Sequence, residues 1–440
     1  MTAALRHPDI ETLDRPAMLA LQARKLADLG RRLADDPHWV AHFAKAGMKP
    51  QDLAAPDGLA HAPPLEKSDL RDHYPFPFVT VPPDQVHRWV ATSGTAGLPV
   101  MFGLSRADVE TLLPRQMARL LHACGMTAED RLYQGYGYGL WIGGFALDVG
   151  AQAIGATNFP VGPGRGELVV QWLRDHGYTA ASLSPLWMMT LIGLARARGI
   201  DIRREWKMRL GIFGGQSVSK AFRDELEAMM PPGFVAHNIY GTTEAGGPVL
   251  AISTPHTHGD DEMQLLNEDT IVTEILDPVT LKPVSPGEVG EIVITTLDKQ
   301  ASPVVKWRTR DLARLSPRAY DCPSGRHGMP RIGRIIGRSD DMLKVRGVIV
   351  FPSQVEDIVA SVPGLAKEAW QIYIDKDRDA LDQLTIAVEP LAGANDDGAR
   401  EVERLVKARL GIRCTVEAHA AGALPRYEAK AVRVLVRQAS

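Results

Sequence analysis

Ala91-Thr92-Ser93-Gly94-Thr95-Ala96-Gly97-Leu98-Pro99 packs three hydroxyl side chains and two glycines into one short run directly after the stretch Val86–Val90. Glycine permits close approach and unusual φ angles, so such a loop can turn its backbone N–H groups and its Ser and Thr hydroxyls toward an anion. It reads as a phosphate cradle. It is not the usual nucleotide loop, because no Gly-Lys-Ser/Thr ending follows and no lysine stands where it would reach the β- and γ-phosphates. The alternative is an ordinary polar turn between a strand and a helix.

The chain around this loop is large enough for more than one core. At 440 residues it predicts at least two domains, and 45% hydrophobic with 23% charged residues is the balance of a soluble globular enzyme. A formal net charge of −3 offers no electrostatic reason to expect nucleic acid or an anionic membrane as partner. Asp9, Glu11 and Asp14 interrupt the N-terminus, which argues against a secretory signal. The most apolar long stretch, 139–156, is broken by Asp148 and Gln152, which argues against a membrane span. Cys124, Cys322 and Cys414 have no paired spacing, so a disulfide framework is not expected and a cytoplasmic location is.

Helical spacing over Pro16–Ala46 precedes a Pro-rich segment at Pro50–Pro83. From Val90 to Leu250, short apolar runs (Ala180–Leu183, Arg209–Phe213, Val235–Ile239) alternate with helical patterns (Glu167–His176, Lys220–Met230), predicting an α/β arrangement with largely parallel strands. Ile271–Leu276, a turn at Pro286-Gly287, and Glu291–Thr296 predict a β-rich subdomain. The last hundred or so residues read βαβ-like, with strands near Trp370–Ile374 and Gln383–Val388 and a helix across Ala399–Leu410; the boundary is placed near Ser339–Asp341.

Four further segments carry chemistry. Tyr240-Gly241-Thr242-Thr243-Glu244 follows an apolar run, at the end of a strand where α/β proteins bind ligands; a hydroxyl beside a carboxylate suits phosphate with Mg²⁺. Its alternative is a helix start capped by Thr242 or Thr243. Arg308-Thr309-Arg310-Asp311-Leu312 offers a carboxylate for a vicinal diol, or else a solvated salt-bridge cluster. Gly337–Gly347, basic, doubly acidic and Gly-bounded, suits a hinge, or an exposed β-hairpin. Leu424–Arg433 contains Lys430, which on its own is one more solvated tail lysine.

In this order and at these separations the five segments resemble the adenylate-forming superfamily of acyl-CoA synthetases, peptide-synthetase adenylation domains and luciferases. Within it the chain looks most like the phenylacetate-CoA ligase branch, through Leu65–Tyr74, His87–Pro99, Tyr136-Gly137-Tyr138-Gly139-Leu140-Trp141 with Gly143-Gly144, Trp307–Leu312 and Gly337–Glu356. It departs at Ala96, where a second threonine is expected, at Leu98, where a lysine is usual, and at Arg310, where glycine is common. Cys322 is alone, with Ser324 where a second thiol stands in some zinc-binding relatives, so zinc is not expected.

The resemblance implies an α/β fold: a large N-terminal domain, 1–339, with mostly parallel sheets flanked by helices plus a β-rich subdomain, and a small mobile α+β lid, 340–440. It implies a two-step reaction, in which a carboxylate attacks the α-phosphate of ATP to give an acyl-adenylate and pyrophosphate, and the thiol of coenzyme A then displaces AMP. Carried over, Thr92, Ser93, Gly94, Thr95 and Gly97 hold the β/γ-phosphates, and Tyr240 lies against the adenine beside Gly241 and Thr242. Thr243 contacts the α-phosphate and Glu244 binds Mg²⁺, while Asp311 grips the ribose with help from Arg338. Lys430 bridges substrate carboxylate and α-phosphate, Asp340 is the hinge, and Gly347 meets the pantetheine channel. Tyr136, Trp141, Gly143, Ala146, Leu147, Phe213, Gly214 and Ile239 are the acyl-pocket candidates, a lining suited to a flat aryl acid such as an arylacetate. The alternatives are an adenylating enzyme serving a carrier-protein thiol or an amine, and a nucleotide-binding regulatory protein. A homodimer is expected from the resemblance alone.

Overall fold

The computed structural model describes residues 5–76, 78–92, 99–216, 218–340, 343–345, 348–376, 383–391, 393, 397–426 and 433–438. Its N-terminal helix, Arg15–Leu33, starts where the Asp14 carboxylate accepts the Ala17 amide at 2.8 Å and ends with Arg31 and Arg32 in its last turn, a charge order that complements the helix dipole. Its buried stripe includes Met18, Gln22, Leu29 and Leu33.

An eight-stranded sheet organises the middle of the chain, in the spatial order Thr157–Pro160, Arg131–Gln134, Ala180–Leu183, Leu210–Phe213, Val235–Thr242, Gly247–Ile252, Glu262–Leu265, Arg331–Gly333. The first five run parallel and the rest are added antiparallel. Ala180–Leu183 and Leu210–Phe213 are buried throughout because helices cover both faces, which is why they read as continuous apolar runs. Side chains alternate: Leu132, Leu210 and Ile212 join one core, Tyr133, Leu183 and Phe213 the other. Each such buried aliphatic contributes about 2 kcal/mol.

A second sheet, fully antiparallel, orders Ile271–Leu276, Val289–Thr296, Trp307–Arg314 and Gly337–Arg338, and so sets Asp311 directly opposite Arg338. Beyond it, Leu343–Val345 and Val348–Val350 form a hairpin. The segment expected as hinge or hairpin, Gly337–Gly347, thus includes the first strand of a hairpin, Leu343–Val345. The C-terminal sheet orders Thr415–Ala418, Gln383–Pro390, Leu365–Lys376 and Val434–Gln438 and is mixed: its central pair is antiparallel and both outer pairs are parallel. Helices Pro352–Ser361 and Asp397–Leu410 supply Val355, Ile358, Val402 and Val406 to a core shared with Trp370, Ile372 and Val388. Arg334 joins this part to the rest, pairing with Asp261 at 3.3 Å and with Asp357 of helix Pro352–Ser361. No helix among the described residues is long and apolar enough to cross a membrane.

Candidate active site

The strands Val86–Ala91 and Met101–Ser105 pair antiparallel and carry the hydroxyl-rich run between them. Its base is closed by Thr92, whose amide donates to the Val100 carbonyl at 3.0 Å while its Oγ1 accepts the Val100 amide at 3.1 Å. The element after the run is therefore a second strand paired with the first, not the helix that the alternative reading as a strand-to-helix turn required. Ser93, Gly94, Thr95 and Gly97 lie outside the described residues. The Ala91 amide donates to the Leu140 carbonyl at 2.9 Å, tying this loop base to the Tyr136–Trp141 run.

Tyr240–Glu244 does not begin a helix. Strand Val235–Thr242 continues through it into a tight turn, where Thr242 pairs with Gly247 and its Oγ1 accepts the Ala245 amide at 3.3 Å. Gly241 is required, since a Cβ there would lie 2.2 Å from the Gly247 carbonyl oxygen. Thr243 and Glu244 are both buried at the turn.

The Tyr240 hydroxyl donates to Asp311 Oδ2 at 2.8 Å, so the turn and the second sheet meet at one carboxylate. Burial, with Asp311 beside it, drives the Tyr240 pKa well above its ordinary value and keeps the phenol a donor. Arg338 Nη1 reaches Asp311 Oδ1 at 3.2 Å and the Thr309 carbonyl at 3.2 Å. The same guanidinium holds both Asp340 oxygens, Nε at 2.8 Å and Nη2 at 2.9 Å. Burial opposes ionisation of Asp340, yet the bonds from Arg338 hold its carboxyl below the usual carboxylate range. Asp311 and Asp340 therefore share one cation.

Arg308 is not a solvated charge. It grips both oxygens of the fully buried Glu291, at 3.0 and 2.7 Å, and reaches Glu66 at 3.2 Å. Arg310 has φ +67°, the left-handed region that favours glycine, and pairs with Glu66 at 2.8 Å.

At the ends of the parallel strands, the Tyr136 hydroxyl donates within reach of the Leu183 and Gly214 carbonyls, 2.7 and 3.0 Å away, and accepts the Gly214 amide at 2.7 Å. Its ring meets Trp141 edge-on, centroids 5.4 Å apart at 74°. Trp141 in turn lies on Gly143, whose Cβ would fall 2.1 Å from the indole. A Cβ on Gly214 would come 3.0 Å from Ile239 Cγ2. These five candidates cluster. Ala146 and Leu147 are fully buried in helix Gly143–Ile154, in the core that also takes Ile239. Phe213 is separated from them: it faces the opposite side of the sheet, among Tyr133, Leu183 and Met188, and is a core residue there.

Lys430 and Gly347 lie outside the described residues. Cys322 Sγ donates to Gln264 Oε1 at 3.1 Å and touches Ser324 Oγ at 2.9 Å. A cavity of about 860 Å³ lined by His42, Glu274 and Lys306 among others contains none of the candidate residues. Two groups escaped sequence reading. Glu66 stands out only as part of Leu65–Tyr74, and Lys299, whose Nζ donates to the Glu244 carbonyl at 2.9 Å, sits in an unremarkable polar run.

Residues 36–297 match a sequence family described as AMP-binding enzyme, and residues 347–437 match one described as AMP-binding enzyme C-terminal domain. The chain is 37% identical over 405 residues to a phenylacetate-coenzyme A ligase of Pseudomonas putida, covering 90% of this chain and 89% of that one. Among solved structures, 2-hydroxyisobutyryl-CoA ligase in the postadenylation state, in complex with 2-HIB-AMP, superposes with a TM-score of 0.86 at 26% identity, covering 98% of this chain and 92% of that one. The same ligase in complex with 2-HIB-AMP and CoA in the thioesterification state, also at 26% identity and with the same coverage, gives 0.70, so the likeness is greater to the first state. The chain belongs to the AMP-binding enzyme family, alongside the phenylacetate-coenzyme A ligases.

Proposed function

We propose that this chain is an ATP-dependent aromatic carboxylate:CoA ligase, arylacetate-like in its substrate, acting through an acyl-adenylate and then a thioester. The observation that carries the reading is the convergence of Tyr240 and Arg338 on the Asp311 carboxylate, beside the turn bearing Thr243 and Glu244. Acidic residues bind ribose hydroxyls in dinucleotide sites. Membership of a family of AMP-binding enzymes supports nucleotide chemistry, and the relatives named phenylacetate-coenzyme A ligase support an aryl acid and coenzyme A.

In this reading the substrate carboxylate oxygen attacks the α-phosphorus, the bond to the β-phosphate oxygen breaks, and pyrophosphate leaves. The sulfur of coenzyme A then attacks the acyl carbon and AMP leaves. Asp311 and Arg338 orient the ribose, the Thr92–Gly97 loop receives the departing phosphates, Thr243 meets the α-phosphate, and Lys430 stands between the two anions being joined. Among the described residues no group of three His, Cys, Asp or Glu could hold a metal. A single carboxylate with neighbouring hydroxyl oxygen, as Glu244 and Thr243 offer, is nonetheless the hard-donor set Mg²⁺ takes when substrate phosphates complete its shell. When bound there, Mg²⁺ neutralises phosphate charge.

The edge-on pair of Tyr136 and Trp141, with the indole over Gly143, supports an aryl group, which gains from edge and face contacts. Division into a core, 1–339, and a lid, 340–440, rotating about Asp340, fits the two separately matched families. A homodimer remains part of the proposal from resemblance only. Pyrophosphate exchange across phenylacetate, ring-substituted arylacetates, benzoates and straight-chain fatty acids tests the reading. Exchange with arylacetates well above that with fatty acids, followed by thioester formation with free coenzyme A, is expected. Preference for fatty acids overturns the substrate class, and an adenylate that free coenzyme A does not consume overturns the acceptor.

A further inference from the structure

Lys299 is 2% exposed, although lysine is almost never fully buried without a partner. Its ammonium donates to the main-chain carbonyl of Glu244 at 2.9 Å and stands 5.0 Å from the centre of the Phe102 ring. Burial lowers its pKa to about 8, and the charges of Asp108 and Glu244 oppose that shift. Asp108 is already committed, since its carboxylate accepts the amides of Ser105, Gln300 and Ala301 at 2.8 to 3.1 Å. The segment bearing Lys299 is itself anchored: Arg32, in the last turn of the N-terminal helix, donates to the carbonyls of Leu297 and Lys299 at 2.6 and 3.1 Å.

The two contacts of this cation belong to two different parts of the phosphate side. Glu244 sits on the turn after strand Val235–Thr242, and Phe102 sits on strand Met101–Ser105, which leaves the hydroxyl-rich loop. That loop, 92–98, contains no lysine or arginine. We propose that Lys299 is a positioning residue for the adenylation half-reaction: it fastens the Glu244 turn to the strand leaving the phosphate loop and supplies, from a distant segment, the positive charge the loop lacks. In a low-dielectric site such a charge acts strongly on nearby phosphate, and a donor on the Glu244 backbone fixes the direction of its carboxylate. The inference rests on the reading of the chain as an ATP-dependent ligase.

The full-length chain and its Lys299→Met, Lys299→Gln and Lys299→Arg variants decide it, through pyrophosphate exchange at varied MgATP and calorimetric binding of AMP and of MgATP. Met keeps the apolar stem and removes charge and donor; Gln keeps a donor without charge; Arg keeps both. Expected is a loss of about 10- to 100-fold in exchange efficiency or MgATP affinity for Met, less for Gln, and recovery of most of it for Arg. AMP, which lacks the β- and γ-phosphates, binds all four within about twofold. Unchanged MgATP behaviour in Met and Gln overturns the proposal. So does an equal loss of AMP and MgATP binding, the mark of a merely structural lysine. If the Met variant does not fold, Gln against Arg reads the same difference. A wild-type chain that exchanges with no acid defeats the functional reading instead, while the AMP-against-MgATP comparison still judges Lys299.

Discussion

The Tyr240 hydroxyl donates to Asp311 across 71 residues of sequence, and this one bond of 2.8 Å joins the last parallel strand of the eight-stranded sheet to an inner strand of the antiparallel one. It leaves the second oxygen of Asp311 to Arg338. Tyr240→Phe removes the donor while keeping the ring, so an adenine contact survives and the direction of the carboxylate does not. A lost bond to a charged group is worth about tenfold, so the KM for ATP is expected to rise by about that factor with the KM for the acid unmoved. Equal KM values for ATP in the two proteins count against a ribose role for Asp311.

Much of this arrangement is legible from the chain. Ala180–Leu183 and Leu210–Phe213 announce themselves because strands buried on both faces need unbroken apolar runs. Hydroxyls and acids at Thr242–Glu244 serve a helix cap and a ligand loop alike; the pairing of Thr242 with Gly247, set by the antiparallel neighbour, removes the helix start. Phe213 shows where pattern fails. The residue looks like a pocket aromatic beside Gly214, but strand alternation turns it to the far core. Lys299 and Glu66 carry no local signal at all, because their partners, Glu244 and Arg310, are remote in sequence.

Arg310, at φ +67°, holds a conformation that costs a residue with a Cβ about 1 to 2 kcal/mol and that glycine adopts freely. Its ion pair with Glu66 offsets part of that cost. Arg310→Ala keeps the strain and loses the pair; Arg310→Gly loses both. The glycine variant is expected to be the more stable of the two by about 1 kcal/mol in urea unfolding. The reverse order contradicts a left-handed residue 310.

Gly143 supports the Trp141 indole so closely that a methyl at Cβ, 2.1 Å from the ring, forces the ring aside. Gly143→Ala therefore displaces the wall that faces Tyr136. The expected outcome is a rise of about tenfold in the KM for the aryl acid, with the KM for ATP unchanged. A variant that accepts arylacetates as well as the parent places the acyl group elsewhere.

Glu389 is fully buried and accepts the Arg426 guanidinium at 2.7 and 3.0 Å together with the amides of Gly422 and Leu424. The bonds from Arg426 come first among the causes that pull its carboxyl from 4.5 to about 2, against the opposing effect of burial. Because the folded state has the lower value, this stabilisation is complete above pH 4.5 and disappears as the pH falls toward about 2. Urea titrations of Glu389→Gln are expected to show less stability than the parent at pH 7 and a flatter decline between those two values. A parallel decline in both proteins removes Glu389 from the acid sensitivity of the C-terminal sheet.

The same arginine leads the chain toward Lys430. Arg426 is tied to Glu389 on one side of that lysine, and on the other Arg433 donates to the Trp370 carbonyl at 2.7 Å, so the ends of the segment are fixed to the C-terminal sheet. A carboxylate approaching the α-phosphate of ATP brings two anions together, and a cation between them lowers the barrier only while they are being joined. Thioester formation starts from an adenylate in which that bond already exists. Lys430→Ala is therefore expected to lower acid-dependent pyrophosphate release by about 100-fold or more, while thioester formation from supplied acyl-adenylate stays within about twofold of the parent. Loss of both half-reactions together, with melting temperature unchanged, argues that Lys430 serves the lid as a whole and that the charge between the two anions comes from another residue.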